Sequence, residues 1–541
     1  MFDFNQILEA QSTALKDYWK FWEHFQGVLA GEKPNSFIQP SMTDKRFKSD
    51  DWANNPIFYF YQQVYLMFSQ HCMDFVGKLS MDPKINKQMT FFTQQMLDAL
   101  SPTNFVLTNP DVLKETLLSQ GESLKKGFEN FLEDWKRGEG FLNIKMTDLN
   151  AFQVGKNVAA TPGKVVFQNN LMQLIQYSPS TENVYQIPLL MIPPWINKYY
   201  ILDLSERNSL VKWAVDQGLT VFMISWVNPD QSHRDCSFQE YIQDGLLAAI
   251  DSIEEITHHR QLNALGFCIG GTLLSMGLSY LQKLGDECIQ SATFLATLID
   301  FSEPGDIGVF IDEHQISQLE KMMDNTGFLN GQWMMSTFNS LRANELLWNY
   351  YINNYLCGKK PFPFDLLYWN SDCTNLPQKL HSDYLRNMYL ENRLCHPNAL
   401  SVSGVPIDLS KVGTPAYFIS TLQDHIAPWE TTYKGAQCLG GPKTFVLSGS
   451  GHIAGIINPP ANQKYGYHTL MESTKFPDNP QDWLAHSQEN TGSWWDHWID
   501  WLRRYSGKRV EPRIPGMDAL SAIENAPGSY VMQQWISIPK S

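Results

Sequence analysis

The hexapeptide Gly266-Phe267-Cys268-Ile269-Gly270-Gly271 constrains this chain more than any other segment. It stands between a mostly apolar run at 262–265 and the helix-like start Thr272-Leu273-Leu274-Ser275-Met276. That order predicts a strand, a sharp turn and a helix. Glycines two residues before and after Cys268 permit the tight backbone and let the helix approach the strand closely. Such a turn is a nucleophile elbow, here with cysteine where serine usually stands. It would hold the sulfur above a sheet, and the helix N-terminus behind it favours a thiolate. The alternative is a buried core cysteine, a common fate of free thiols.

Two later segments favour the elbow. Nucleophile, acid and histidine follow one another in that chain order on this kind of sheet. An apolar run at 414–420 leads into Gln423-Asp424-His425-Ile426, which places Asp424 in a loop after a strand. A second short strand, beginning at Lys443, runs into Ser450-Gly451-His452-Ile453. Loops of this type lie together at the carboxyl ends of parallel strands. His452 is therefore the candidate base and Asp424 the acid that orients it. His425 competes as base but suits the chain order less well. His258 and His259 sit in a polar stretch. Asp424 has the alternative role of capping the helix that begins at Trp429.

The chemistry that follows is acyl transfer through sulfur. A free thiol is only slightly ionised at neutral pH, so His452 would take its proton and Asp424 would fix the imidazole tautomer. The oxyanion formed on attack needs two donors. The candidates are the backbone N–H of Ile269 and that of Ile196, since Pro193 and Pro194 have no N–H to offer. An acyl group on sulfur remains a thioester, nearly as activated as a thioester substrate, which leans towards transfer over hydrolysis.

These residues resemble the polyhydroxyalkanoate synthases. The likeness runs through the Gly266–Gly271 box, Pro193-Pro194-Trp195-Ile196-Asn197-Lys198-Tyr199-Tyr200 and Phe222-Met223-Ile224-Ser225-Trp226. It continues in Phe364-Asp365-Leu366-Leu367-Tyr368-Trp369-Asn370-Ser371-Asp372, the stretch 424–429, Gly451-His452-Ile453-Ala454-Gly455 and Gly492-Ser493-Trp494-Trp495. It covers most of the chain from about residue 40. The resemblance implies polymerisation of (R)-3-hydroxyacyl-CoA into polyester with release of CoA. Cys268 would carry the growing chain, His452 would be its base, and Asp424 would assist the attacking 3-hydroxyl or orient His452. It implies the single-polypeptide type, a homodimer on the surface of polymer granules in the cytoplasm, with granule-associated proteins as further partners. CoA thioester is then substrate and no cofactor is needed. Trp369, Asn370 and His425 are candidate substrate-binding residues, with cap core as the other role for Trp369 and Asn370. A thiol hydrolase or depolymerase, and a non-catalytic granule protein, are the rival functions.

Composition bounds the rest. A chain of 541 residues holds about two domains. Its net charge of −15 argues against nucleic acid and against a polybasic membrane anchor. An anionic CoA substrate would then need a local basic patch, for which Lys198 is a candidate unless it is a solvated loop lysine. The 8 cysteines show no metal-ligand spacing, which suits a reduced cytosolic protein without metal. The segment Met1-Phe2-Asp3-Phe4 lacks a signal-peptide profile, and no apolar run is long enough to span a membrane.

Along the chain, residues 1–150 read as a mainly helical domain. Leu8, Leu15, Tyr18, Trp19, Trp22 and Phe25 form an amphipathic stripe that suits either a helical core or an assembly and granule-targeting surface. From 151 to 541 the pattern is that of an α/β-hydrolase-like doubly wound sheet. Strands are expected at 184–192, 219–226, 262–266 and 292–297, with helices at 239–256 and 271–283. Residues 301–405, rich in aromatics and asparagine, read as an inserted cap that would exclude water, or else as a rigid decoration. The Pro/Gly-rich segment after about 505 is expected to wrap the surface.

Overall fold

The computed structural model describes residues 4–32, 36–41, 44–138, 142–471, 476–517 and 519–533. Residues 1–3, part of the segment read above for a signal peptide, and the Leu8 side chain lie outside the described residues. The chain divides into two compact units, Met1–Asp148 with Thr337–Phe362, and Leu149–Ser336 with Pro363–Ser541.

The first unit is helical. Its main helices are α1 (Phe4–Leu29), α2 (Pro56–Lys78), α3 (Pro83–Ala99), α4 (Pro110–Leu118) and α5 (Glu122–Arg137). Three of them begin alike. Asn55, Asp82 and Asn109 each accept backbone N–H bonds through the side chain, and each is followed by proline at the first helical position. The proline lacks only an N–H that would be unsatisfied there, so the pair Asx-Pro sets the start of the helix. The aromatic stripe of α1 splits. Phe21, Phe25 and Val28 pack with Tyr59 and Met67, whereas Leu15, Trp19 and Trp22 remain 63%, 68% and 43% exposed.

Thr337–Phe362, which falls inside the segment expected to be the cap, belongs to this helical unit instead. The Asn130 amide donates to the Asn354 carbonyl at 2.9 Å, and the Tyr355 hydroxyl to Asp134 at 2.7 Å. A Cβ on Gly127 would stand 1.7 Å from the Tyr355 carbonyl oxygen, so this contact requires glycine.

The second unit is built on an 11-stranded sheet. Its strands are β1 (Gly163–Gln168), β2 (Met172–Tyr177), β3 (Leu189–Ile192), β4 (Val221–Trp226), β5 (Leu262–Phe267), β6 (Ile289–Leu295), β7 (Ala416–Thr421), β8 (Lys443–Ser448), β9 (Tyr467–Thr469), β10 (Gln488–Asn490) and β11 (Glu524–Asn525). Their spatial order is β10-β9-β8-β7-β6-β5-β3-β4-β2-β1-β11. The six central strands from β8 to β4 are parallel, and those outside them pair antiparallel. Every residue of β3, β4 and β5 is buried, as befits strands covered on both faces. The principal helices are α6 (Leu210–Asp216), α7 (Ala248–Thr257), α8 (Ile269–Leu284), α9 (Trp429–Gln437) and α10 (Trp494–Arg503).

Three local expectations change. The run 184–192 is two strands. Val184–Tyr185 pairs with Arg509–Val510, and β3 begins after Pro188, a residue that cannot donate to a ladder. The helix expected over 239–256 is interrupted by a wide turn at Tyr241–Leu247. The C-terminal segment contributes β11 at the sheet edge as well as covering surface.

Candidate active site

Cys268 stands between β5 and α8 with φ 51° and ψ −122°, a conformation that non-glycine residues rarely adopt. Close packing enforces it. A Cβ on Gly266 would lie 2.4 Å from the Gly271 Cα, and one on Gly270 would lie 2.3 Å from the Ile192 carbonyl oxygen. The two glycines flanking Cys268 therefore let α8 fold back on β5 and let the loop after β3 press against the elbow. The Cys268 N–H donates to the Leu295 carbonyl at 2.8 Å, tying the elbow to β6. The thiol is half-buried.

Asp424 follows β7 and His452 follows β8. The His452 Nδ1–H donates to Asp424 Oδ2 at 2.7 Å, and the Asp424 side chain is fully enclosed. The other carboxylate oxygen accepts the N–H groups of Ile426 and Ala427 at 2.9 and 2.8 Å. Asp424 thus closes its own turn and orients the imidazole at once. It does not cap α9, whose N-cap is Pro428. With Nδ1 committed, Nε2 is left to exchange a proton, and the Cys268 sulfur is near enough to act on the ring electrostatically. Burial alone would lower the imidazole pKa. The Asp424 charge and hydrogen bond, then the Cys268 sulfur, outweigh it and lift the ring to about 10. Phe267 lies against the same ring, centroids 5.7 Å apart.

Ile269 is the first residue of α8, where a backbone N–H has no intrahelical acceptor. Ile196 lies in the loop after β3, whose carbonyls are held from several directions. The Trp226 indole donates to Pro193, the Thr374 hydroxyl to Trp195, and the Trp369 indole to Lys198, at 3.0, 2.8 and 2.7 Å. Trp369 is thus packed into the core as a support for this loop, in the cluster against which Cys268 also packs. The Asn370 carbonyl accepts from the Asn197 amide at 3.4 Å, a supporting contact of the same kind. His425 is half-buried, and its carbonyl receives the Asp306 N–H at 3.2 Å. The structure pairs His452 with Asp424.

Lys198 is neither a solvated lysine nor a free cation for CoA. Its side chain is 5% exposed, paired with Asp372 at 2.8 Å and donating to the Val531 carbonyl at 2.7 Å. Tyr200 donates to the other Asp372 oxygen at 2.8 Å. The signal available in sequence was the pair of motifs at 193–200 and 364–372, but not that they meet.

Two further groups at the site escaped sequence reasoning. Tyr384 and Tyr389 stand with rings perpendicular at 5.1 Å, Tyr389 lying 5.0 Å from Phe301. Burial raises both phenols, the neighbouring Tyr389 adds to this at Tyr384, and the nearby Cys268 sulfur raises both further. They form an aromatic wall near the sulfur. Trp494 and Trp495, on α10, donate to the carbonyls of Gly455 and Ile456 at 3.0 Å each and so hold the His452 loop. Among the described residues there is no cluster of three or more His, Cys, Asp or Glu able to hold a metal, and no helix long and apolar enough to cross a membrane.

A family model described as the poly-beta-hydroxybutyrate polymerase (PhaC) N-terminus matches residues 43–214, and one for the alpha/beta hydrolase fold matches 188–459. The chain is 45% identical to a poly(3-hydroxyalkanoate) polymerase subunit PhaC of Rhizobium meliloti, covering 98% of this chain and 86% of that one. Identity is 44% to a poly(3-hydroxyalkanoate) polymerase of Methylorubrum extorquens, covering 98% and 87%. It is 41% to a poly(3-hydroxyalkanoate) polymerase subunit PhaC of Cupriavidus necator, covering 97% and 88%. With an elbow cysteine, an Asp–His pair and an α/β-hydrolase sheet in one unit, the chain belongs to the poly(3-hydroxyalkanoate) polymerase family.

Proposed function

We propose that this protein polymerises (R)-3-hydroxyacyl-CoA into polyhydroxyalkanoate, releasing CoA and carrying the chain as a thioester on Cys268. The observation that carries the proposal is the Asp424–His452 hydrogen bond together with the strained Cys268 elbow, all three residues following the carboxyl ends of parallel strands. An imidazole with its pKa near 10 keeps its proton beside the sulfur at neutral pH and favours the thiolate. The thiolate attacks the acyl carbonyl of the CoA thioester. The N–H groups of Ile269 and Ile196 receive the oxyanion, and His452 gives its proton to the departing CoA sulfur. His452, now neutral, takes the proton of the 3-hydroxyl that attacks the next thioester. The substrate's own thioester supplies the driving force, so no cofactor takes part. Enclosure of the Asp424 side chain supports its acting through His452 rather than on the hydroxyl.

The protein would work as a homodimer at the surface of polymer granules in the cytoplasm, where granule-associated proteins are further partners. Exposed Leu15, Trp19 and Trp22 on α1 support a role for the helical unit at an apolar surface. Incubation with 3-hydroxybutyryl-CoA, following CoA release and turbidity together, tests the proposal. Wild type should release CoA as polymer scatters light, and Cys268→Ala should do neither. CoA release with free hydroxy acid and no polymer would make the protein a hydrolase. Turnover by Cys268→Ala would remove the nucleophile assignment.

A further inference from the structure

Among the described residues, two cysteines away from Cys268 stand in contact. Cys395 and Cys438 approach with their sulfurs 2.9 Å apart, and both residues are half-buried, within reach of small solutes. Cys395 closes the short helix Arg393–Cys395 and donates to the Ile299 carbonyl at 3.3 Å. Cys438 is the C-cap of α9, the helix that follows the Asp424 turn. The stretch leading to Cys395 carries Tyr384 and Tyr389, the wall near Cys268.

We infer that Cys395 and Cys438 are a peroxide-oxidisable dithiol, whose disulfide staples segment 384–395 to the helix following Asp424. The two thiols differ as such a pair requires. The Cys438 thiol donates to the Cys395 sulfur at 2.9 Å while the Cys395 thiol donates to Ile299, and the contact with Cys395, aided by Lys443, lowers the Cys438 pKa against burial and the Asp300 charge. The same bond, with burial, raises Cys395. Cys438 is therefore the attacking thiolate and Cys395 the resolving thiol. The Cys438 sulfur attacks one oxygen of hydrogen peroxide. The O–O bond breaks, and the departing hydroxide leaves as water with the proton Cys438 had given up. The Cys395 sulfur then attacks the Cys438 sulfenic acid. The S–S bond forms, the S–O bond breaks, and the Cys395 proton leaves with the hydroxide as a second water. Sulfur is oxidised and peroxide reduced. A thiol reductant reverses the step by exchange. Such a staple would hold the Tyr384 and Tyr389 wall against the core. The thiol chemistry stands whatever reaction Cys268 performs.

The test uses the full chain carrying Cys268→Ala, so that the elbow thiol does not compete. After treatment with stoichiometric hydrogen peroxide, non-reducing peptide mass spectrometry should find the Cys395 and Cys438 peptides joined, lighter by two hydrogens. Dithiothreitol should separate them, and neither Cys395→Ser nor Cys438→Ser should show the joined species. Amide exchange over 384–395 should slow by about fivefold on oxidation, as a segment loses its local opening. Both thiols remaining free while Cys236 or Cys357 oxidises would overturn the dithiol. A disulfide that leaves exchange over 384–395 unchanged would overturn the staple.

Discussion

At the residue scale the site turns on His452. Its folded pKa of about 10 lies above the ordinary 6.5, so the protonated ring favours the folded state. That stabilisation is complete below about pH 6.5 and is lost as pH rises through about 10. In denaturant melts, wild type should therefore exceed His452→Gln by a larger margin near pH 6 than near pH 10. A margin that grows with pH would mean the ring is held neutral. Asp424→Asn places an amide where the Nδ1–H now donates and disturbs the tautomer, which should cost roughly 10³- to 10⁴-fold in turnover. Because the Asp424 side chain is enclosed, single-turnover acylation and steady-state elongation should fall together. Acylation that survives while elongation is lost would place the carboxylate on the substrate hydroxyl.

At the element scale, loops are aimed by contacts from distant segments. The loop after β3, which carries the candidate oxyanion donor Ile196, is clamped by Asp372 through Lys198 and Tyr200. Asp372→Ala leaves a buried ammonium unpaired and should destabilise the protein by about 3 kcal/mol. Asp372→Asn should retain more of the fold and chiefly lower kcat, leaving the pH profile in place. A KM effect alone would argue against a role at the oxyanion. The Trp494 indole has a parallel task at the Gly455 carbonyl. Trp494→Phe leaves that buried acceptor without its donor, at a cost of about 1–3 kcal/mol by chemical denaturation. It should also slow Cys268 labelling by a thiol probe as the His452 loop shifts. Unchanged labelling at reduced stability would confine Trp494 to packing.

At the scale of the whole molecule, the helical unit is assembled from two separated stretches of chain. A chain beginning at Leu149 would strip Thr337–Phe362 of α5, the helix it packs on. Asn354 and Tyr355 would lose Asn130 and Asp134. Such a truncation should precipitate or melt earlier than wild type, and replacing 337–362 by a short Gly/Ser linker should recover solubility and thiol-probe labelling of Cys268. Gly127→Ala reaches the same contact in the intact chain. A methyl group directed at the Tyr355 carbonyl should cost about 1–3 kcal/mol. A melting temperature equal to wild type would show that the segment yields freely.

Much of the strand–loop pattern around the candidate site could be read directly from sequence, because its determinants are local. Glycines two residues either side of Cys268 announce an elbow, and an apolar run followed by a polar loop announces Asp424 and His452. β1 and β2 were not read, since Lys164-Val165-Val166-Phe167-Gln168 and Met172-Gln173-Leu174-Ile175-Gln176 mix polar and apolar residues without clear alternation, though β2 is wholly buried. The sequence alone thus determined the elbow, the loop positions of the candidate residues Cys268, Asp424 and His452, and the alternation of strands and helices. Tertiary structure decided which tryptophans of α1 face solvent, that Lys198 is spent on Asp372, that 337–362 joins the first unit, and that Cys395 meets Cys438. Each of these is a contact between residues far apart in the chain, and burial is a property of the partner as much as of the residue itself.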